Sequence, residues 1–166
     1  LLAPYLSVFA QSGNFRIAPV VKNIPIVALL VEESLTNNSK LYEKIKRYEV
    51  DVSQTLDAQT VRVEIPKDAS PNDIYEGLAH LYHSGLNLDA MSQLKGLVLI
   101  GDVPIPVVDK NGVLWPTIYP YVDFDNPRYF WDSVADRFVV GGGRKNTEPE
   151  VWHGIIRSFA ETPAAK

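Results

Sequence analysis

The sequence predicts an α/β fold, a three-layer α/β/α arrangement around a mainly parallel β-sheet. Strand-like and helix-like segments alternate in the order strand, helix, strand, helix, strand. Such alternation produces crossover connections and a parallel sheet with helices on its faces. The third strand, within 94–102, contains four consecutive apolar residues and ends in Gly101-Asp102. This pattern is typical of a strand buried on both faces, and the glycine permits a sharp turn that leaves Asp102 at the carboxyl edge.

The composition bounds the class of protein. The chain has 166 residues, of which 46% are hydrophobic and 22% charged, enough for a globular domain with a core. A net charge of -4, with 16 scattered basic residues, argues against a nucleic-acid-binding protein. The chain contains no cysteine, so it holds neither a disulfide nor a cysteine nucleophile. It also has no apolar stretch long enough to span a membrane as a helix.

Three segments are predicted along the chain. Residues 1–14 are either the remnant of a secretory signal peptide or an N-terminal arm packed on the domain. Leu1–Ala10 is apolar, and Val8–Ala10 resembles the end of a signal peptide, which would place the protein outside the cytoplasm. Residues 15–160 form a single α/β domain that we expect to be incomplete, and 161–166 form a disordered tail.

The first strand and the first helix are predicted from apolar patterning. Residues 24–31 form an apolar, β-branched run in which Pro25 is tolerated at the start of the strand. The cap-rich segment 36–39 then precedes apolar residues at helical spacing. These residues are Leu41, Ile45, Tyr48 and Val52, and they predict an amphipathic helix that covers one face of the sheet.

The second strand and the second helix follow. Residues 60–66 alternate between apolar and polar side chains, which predicts a strand nearer the edge of the sheet than the other two. Ser70–Asp73 predicts a helix start, with a capping hydroxyl, proline at the first helical position and an acid in the first turn. The buried stripe comprises Ile74, Leu78, Leu81 and Tyr82. Gly85 is expected to end the helix.

The chain changes character after Asp102. Prolines in 103–106 exclude an interior strand or helix. Residues 109–112 predict a hairpin turn that returns through 113–115. Residues 136–140 predict a further strand, ended by three glycines, and 148–159 predict a helix that begins at Glu-Pro-Glu.

This order of features resembles the first half of gingipain-like cysteine peptidases, which have a caspase-like fold, related in architecture to flavodoxin. In that family a buried strand ending in Gly-Asp precedes an Ile-Pro turn, an Asp- and Tyr-rich segment and an Asp-x-x-Val-Gly-Arg-like stretch. Ile105-Pro106, Asp123–Tyr129 and Asp136–Arg144 are similar in order and spacing. The resemblance covers roughly Ile24 to Arg157, and the triple glycine before Arg144 departs from the family's single one.

The resemblance implies a bacterial cysteine endopeptidase that acts on peptide or protein substrates. Because the family's catalytic His and Cys lie further along the chain, it also implies that this chain scaffolds the sheet and is inactive alone. A second hypothesis is a non-enzymatic cell-surface binding module with the same fold. That module would bind through aromatic residues after Asp102, whose alternative role is core packing under long loops. They are Trp115, Tyr119, Tyr121, Phe124, Tyr129, Phe130 and Trp131.

His153 is a candidate catalytic residue because it forms a His-Gly pair, as the catalytic His of caspase-like enzymes does. Its surroundings favour a helix start, and a base without a nucleophile performs no covalent chemistry. We therefore favour a structural role. His80 and His83 are spaced like two metal ligands on a helix, but no third ligand lies near them in the sequence.

Three carboxylates suggest a calcium site. Asp123, Asp125 and Asp132 offer the hard oxygen ligands that calcium prefers, and the resemblance implies calcium as well. The alternative is a set of turns capped by Asp side chains.

Two acids are expected at the rim of a peptide cleft. Glu33 follows the first strand and Asp102 the third, so both belong to the carboxyl edge of the sheet, where ligands bind in α/β proteins. Acids at the end of the first strand also argue against a nucleotide site, which would need a glycine-rich loop there.

Overall fold

The computed structural model describes residues 23–88, 93–125, 128–141 and 148–157. The predicted signal-peptide remnant at 1–14 and the predicted tail at 161–166 lie outside these ranges. The elements, in chain order, are β1 (Ile26–Glu32), α1 (Glu33–Thr36), α2 (Ser39–Leu56), β2 (Gln59–Ile65), α3 (Pro71–Leu88), β3 (Leu94–Ile100), β4 (Val107–Lys110), β5 (Val113–Pro116), a 3-10 turn (Tyr119–Tyr121), β6 (Tyr129–Asp132), β7 (Arg137–Val140) and β8 (Trp152–Ile156).

The described strands form two four-stranded sheets. The first sheet has the order β2-β1-β3-β8, and all its pairings are parallel. The α/β prediction is therefore confirmed, as is the position of β2 at an edge. The second sheet has the order β5-β4-β7-β6 and mixes antiparallel and parallel pairs. Its two hairpins lie within the chain that connects β3 to β8.

The two central strands of the first sheet are buried on both faces. Side chains of Ile26 through Val31 are at most 1% exposed, and 97–100 are nearly as inaccessible. Successive side chains of a strand point to opposite faces, so β1 contributes to two separate apolar clusters. Ala28 belongs to the cluster that contains α3, and Leu29 to the cluster that contains α2. An unbroken apolar strand is what this double burial requires.

Helices α2 and α3 begin at the predicted caps. Asn38 Oδ1 accepts hydrogen bonds from the backbone N–H groups of Lys40 and Leu41, at 3.1 and 3.3 Å. Ser70 Oγ accepts from the Asp73 N–H at 3.1 Å. The prediction that Gly85 ends α3 is wrong, because the helix continues to Leu88. An interior glycine costs a helix only about 1 kcal/mol relative to alanine, which the packed preceding turns can offset.

The second sheet confirms two local predictions. The β4–β5 hairpin turns at Asn111 and Gly112, both with positive φ, and Asp109 Oδ1 accepts the Gly112 N–H at 2.8 Å. β7 is the strand predicted at 136–140. Phe138 of β7 is fully buried, and its ring meets the Tyr75 ring of α3 edge-on at 5.5 Å. Through this contact the second sheet packs against α3, which covers one face of the first sheet.

The predicted helix over 148–159 is wrong. Residues Trp152–Ile156 form β8, whose five residues pair with Gly96–Ile100 of β3. The apolar spacing of Trp152, Ile155 and Ile156 fits a helix, but adjacent isoleucines also favour a strand. The open edge of β3 offers a full ladder of backbone hydrogen bonds, and this tertiary pairing overrides the local pattern.

Truncating a side chain in this doubly buried layer tests the core. Leu97→Ala removes a side chain with no solvent exposure and is expected to lower the free energy of unfolding by about 2–5 kcal/mol. Leu114→Ala, at a position that is 53% exposed on β5, should change it by less than about 0.5 kcal/mol. Urea denaturation of both variants measures the difference, and equal losses would contradict this description of the core.

Candidate functional site

A cleft opens where the parallel strands end. Its volume is about 600 Å³, and it lies outside the carboxyl ends of β1, β3 and β8, beneath the start of α2. The chain leaves β1 toward β2 on one side and leaves β3 toward β8 on the other. Such a divergence creates a crevice where ligands bind in open α/β sheets. The lining residues are Glu32, Leu35, Leu41, Lys44, Ile45, Tyr48, Ile100, Gly101, Asp102, Ile156 and Arg157.

Four polar residues, hereafter the rim cluster, join three strand ends: Glu32, Ser34, Asp102 and Arg157. Ser34 Oγ donates a hydrogen bond to Glu32 Oε1, and the Asp102 backbone N–H donates to Glu32 Oε2 at 2.7 Å. Asp102 Oδ1 accepts from Arg157 Nε at 2.8 Å. The carboxyl ends of β1, β3 and β8 are thereby connected through side chains as well as through the sheet.

The hydrogen bonds keep Glu32 ionised. The bond from the Ser34 hydroxyl and the bond from the Asp102 backbone N–H lower the pKa of the Glu32 carboxyl below its ordinary value. Hydrogen bonds to a carboxylate favour its charged form. The rim therefore presents two carboxylates and one guanidinium to the cleft.

Gly101 makes this geometry possible. Its φ is +88°, and its backbone N–H donates to the Ile156 carbonyl at 2.9 Å. A Cβ at this position would lie 2.7 Å from both Glu32 Oε2 and Leu35 Cδ1. The sharp turn predicted at the end of the third strand thus needs glycine both for its backbone conformation and for the close approach of the rim cluster.

The walls of the cleft are apolar. Leu35 of α1 and Leu41, Ile45 and Tyr48 of α2 form one side, while Ile100 and Ile156 form the sheet side. Lys44 adds a cation on the α2 side and makes no ion pair with any residue that the structure describes. The site combines an apolar interior with a charged rim, a combination typical of clefts that bind amphipathic ligands.

The two acids predicted at the rim take different places. Asp102 lies in the rim cluster as part of the lining. Glu33 begins α1 and is exposed, and the acid that lines the cleft is its neighbour Glu32. Strand β1 runs one residue further than the apolar run, so the last strand residue is the one that reaches Asp102. In the sequence, Glu32 and Glu33 both follow the apolar run of the first strand, and nothing in that segment shows which of the two lines the cleft.

The three aspartates of the calcium hypothesis make separate contacts. Asp125 Oδ2 accepts from the Tyr82 hydroxyl at 2.8 Å. Asp132 Oδ1 caps the β6–β7 turn by accepting the N–H groups of residues 134 and 135, at 2.9 and 3.1 Å. Within the described ranges no three or more His, Asp or Glu residues come close enough to hold a metal ion. These positions do not fit a shared ion, and calcium stays a prediction from composition and resemblance.

Asp123 is a buried carboxyl beneath the loop that leads to β6. It is 5% exposed, and Oδ2 accepts the Arg128 N–H at 3.4 Å. Burial raises the pKa of Asp123 above its ordinary value, and the charge of Glu150 acts in the same direction, while the Arg128 hydrogen bond opposes both. Nothing in the sequence indicated that Asp123 would be the buried one of the three aspartates.

His153 lies outside the cleft. It is exposed on β8, paired in register with Leu97, whereas the cleft residue Ile156 is three positions further along and therefore on the opposite face. The aromatic set divides in two: Tyr121 and Phe124 are buried, whereas Trp115 and Phe130 are 58% and 52% exposed. Core packing is therefore found for part of this set, whereas binding by its exposed members stays a prediction.

Fold and cleft together define an α/β protein with a parallel sheet and a crevice at its carboxyl edge. Comparisons with protein-family models, with curated proteins and with solved structures find no match to this chain. In the described part of the chain, no helix combines the length and apolarity that crossing a bilayer would require.

Substitution of Gly101 tests how the rim is built. Gly101→Ala is expected to lower the free energy of unfolding by at least about 1–2 kcal/mol, because alanine is strained at positive φ and its Cβ would contact Glu32. Gly77 in α3 is the matched control, because no atom lies within 4 Å of the position that a Cβ would take there. Gly77→Ala should stabilise the protein by up to about 1 kcal/mol. Urea denaturation gives both values, and a neutral Gly101→Ala would contradict the described turn.

The two perturbed carboxyls predict opposite pH dependences. The folded-state pKa of Asp123 is raised, so its contribution to stability is greatest below its unfolded-state pKa and is lost as pH rises through the folded value. The pKa of Glu32 is lowered, so its contribution is present above the unfolded value and is lost as pH falls through the folded one. Asp123→Asn should therefore gain stability relative to the unmodified protein between about pH 4 and about pH 7, whereas Glu32→Gln should lose it. Chemical denaturation across this range checks both signs, and a shared sign would refute the assignment.

Proposed function

We propose that this chain is the non-nucleophilic N-terminal portion of a gingipain-like cysteine peptidase that acts outside the cytoplasm. In this proposal the parallel sheet, with α2 and α3 on opposite faces, is part of a caspase-like three-layer fold. Its carboxyl edge borders the groove that receives a peptide substrate. The catalytic His and Cys would belong to a part of the protein beyond this chain.

The cleft is the observation that carries the proposal. A space of about 600 Å³ with apolar walls can receive an apolar side chain of a peptide. The rim cluster places carboxylates and a guanidinium where they can accept from and donate to peptide backbone groups. Pockets that bind such ligands combine a mostly apolar lining with a few polar groups that fix orientation.

The residues available for catalysis support a scaffolding role. The sequence has no cysteine, and His153 lies on the face of the sheet opposite the cleft. A general base that is remote from the ligand and has no nucleophile to activate cannot start acyl transfer. We therefore expect this chain alone to bind peptides without hydrolysing them.

A surface binding module is the second candidate, and one observation favours it. The second sheet exposes large apolar side chains that are each more than half accessible to solvent, among them Leu114, Trp115 and Phe130. Exposed aromatic side chains on a sheet are a common feature of protein-binding surfaces. In this alternative the ligand contacts the second sheet, and no catalytic segment is required.

Peptide titration followed by NMR distinguishes the two candidates. We expect a mixed library of short peptides to shift backbone amide resonances of 32–35, 41–48 and 100–102, with no cleavage products by mass spectrometry. Leu41→Glu introduces a charge into the apolar wall at the start of α2 and should weaken binding at least about tenfold, equivalent to about 1.4 kcal/mol. Val50→Glu is the matched control, because Val50 is exposed on the same helix and does not line the cleft.

Shifts confined to the second sheet would favour the binding module and contradict the peptidase proposal, and so would equal effects of the two variants. The coding sequence after Lys166 gives an independent test. A further strand followed by His-Gly, and a later strand ending in Cys, would support the peptidase, and their absence would support the module.

A further inference from the structure

Two charged side chains that line the cleft have no partner of opposite charge in the part of the chain that the structure describes. The Glu32 carboxylate accepts hydrogen bonds from the Ser34 hydroxyl and from the Asp102 backbone N–H, which are both neutral donors. The Lys44 ammonium forms no ion pair with a described residue. The other two charged residues of the lining, Asp102 and Arg157, pair with each other at 2.8 Å. One negative and one positive charge are therefore left for a ligand.

The two unpaired charges belong to different walls of the cleft. Glu32 is the last residue of β1 and lies on the sheet side. Lys44 lies on α2 between Leu41 and Tyr48, which both line the cleft. Residues three or four positions apart share one face of a helix, so Lys44 belongs to the face that forms this wall. The cleft thus combines a carboxylate on one wall, an ammonium on the other and a mostly apolar lining.

We propose that the cleft binds short peptides that have apolar side chains and two free termini, with the α-ammonium at Glu32 and the α-carboxylate at Lys44. This inference rests on the proposed function, since it specifies which peptides the cleft receives. A carboxylate can accept more than two hydrogen bonds, and an α-ammonium donates N–H bonds of the kind that Glu32 can still accept. A ligand with a single charge would leave either Glu32 or Lys44 without a partner, whereas a zwitterion pairs with both.

The size of the cleft favours a peptide of a few residues. Its volume of about 600 Å³ lies within the range of about 300–1,000 Å³ that is usual for sites of small ligands. An extended chain advances about 3.3–3.6 Å per residue, so both termini of a tripeptide stay near the cleft, whereas those of a long extended chain do not. The interior of a long chain offers only neutral amides, which would leave the charges of Glu32 and Lys44 uncompensated.

Blocking the termini of one peptide tests the inference on the unmodified protein. The probe is a leucine–alanine–leucine tripeptide in its free, N-acetylated, C-amidated and doubly blocked forms, and calorimetry gives the Kd of each. Acetylation removes the ammonium and is expected to weaken binding about tenfold, since hydrogen bonds between charged groups are the stronger kind. Amidation removes the carboxylate and is expected to weaken binding about threefold, because Lys44 is exposed and its ion pairs are screened by solvent. Equal Kd values for the four forms would overturn the inference.

Two variants assign each terminus to its residue. Glu32→Gln should bind the free and the acetylated tripeptide nearly equally, and Lys44→Met should do the same for the free and the amidated forms. Glu33→Gln and Lys40→Met are the matched controls, because both residues are exposed and neither lines the cleft, so both should keep the differences. The opposite pattern would overturn the assignment. Circular dichroism checks that each variant is folded, and the Kd values of the unmodified protein decide if one is not.

The same titrations separate this inference from the proposed function. If all four forms shift the amide resonances of 32–35, 41–48 and 100–102 with equal affinity, the cleft binds peptides but does not require free termini, and only the inference fails. If no form shifts these resonances, the inference and the peptide-binding function both fail.

Discussion

The burial of β1 and β3 on both faces is the constraint on which the rest of the structure depends. Two strands that are apolar at nearly every position can be accommodated only between two covering layers. The amphipathic helix α2 and the apolar stripe of α3 provide these layers, so the two helices must lie on opposite faces. In the strand order β2-β1-β3-β8, the chain leaves β1 on one side and β3 on the other, and a crevice opens between these connections at the strand ends. The location of the cleft is therefore a consequence of the order of the strands.

The positions of the charged groups at the cleft depend on one turn, the one at Gly101. Gly101 brings the backbone of residue 102 against the Glu32 carboxylate, and Asp102 in turn reaches Arg157 beyond β8. The charged groups that face the cleft are thus held by backbone geometry at three strand ends. Such an arrangement is suited to binding and orienting a ligand. The chain has no cysteine, the nucleophile that a cysteine peptidase requires, and for this reason we propose a scaffold or a binding module.

The sequence predicted those parts of the fold that rest on local patterns. The apolar runs, the caps at Asn38 and Ser70 and the turn at Asn111-Gly112 each carry a strong short-range signal, and the structure contains all of them. β8 was predicted as a helix, because its spacing fits both states and only the open edge of β3 decides between them. The assembly of four short strands into a second sheet also depends on long-range pairing that no local pattern contains. The place of Asp102 at the carboxyl edge of the sheet could be predicted, because Asp102 closely follows the apolar run of β3. Glu32 could not be separated from Glu33, because the difference is one residue of strand length.

Binding of a peptide in the crevice can be observed in a crystal structure of the chain with a bound peptide, chosen from the most tightly binding members of the library. We expect peptide density in the crevice between Leu41 and Ile156, with polar contacts to the rim cluster. Density on the second sheet near Trp115 and Phe130, with the crevice empty, would contradict it.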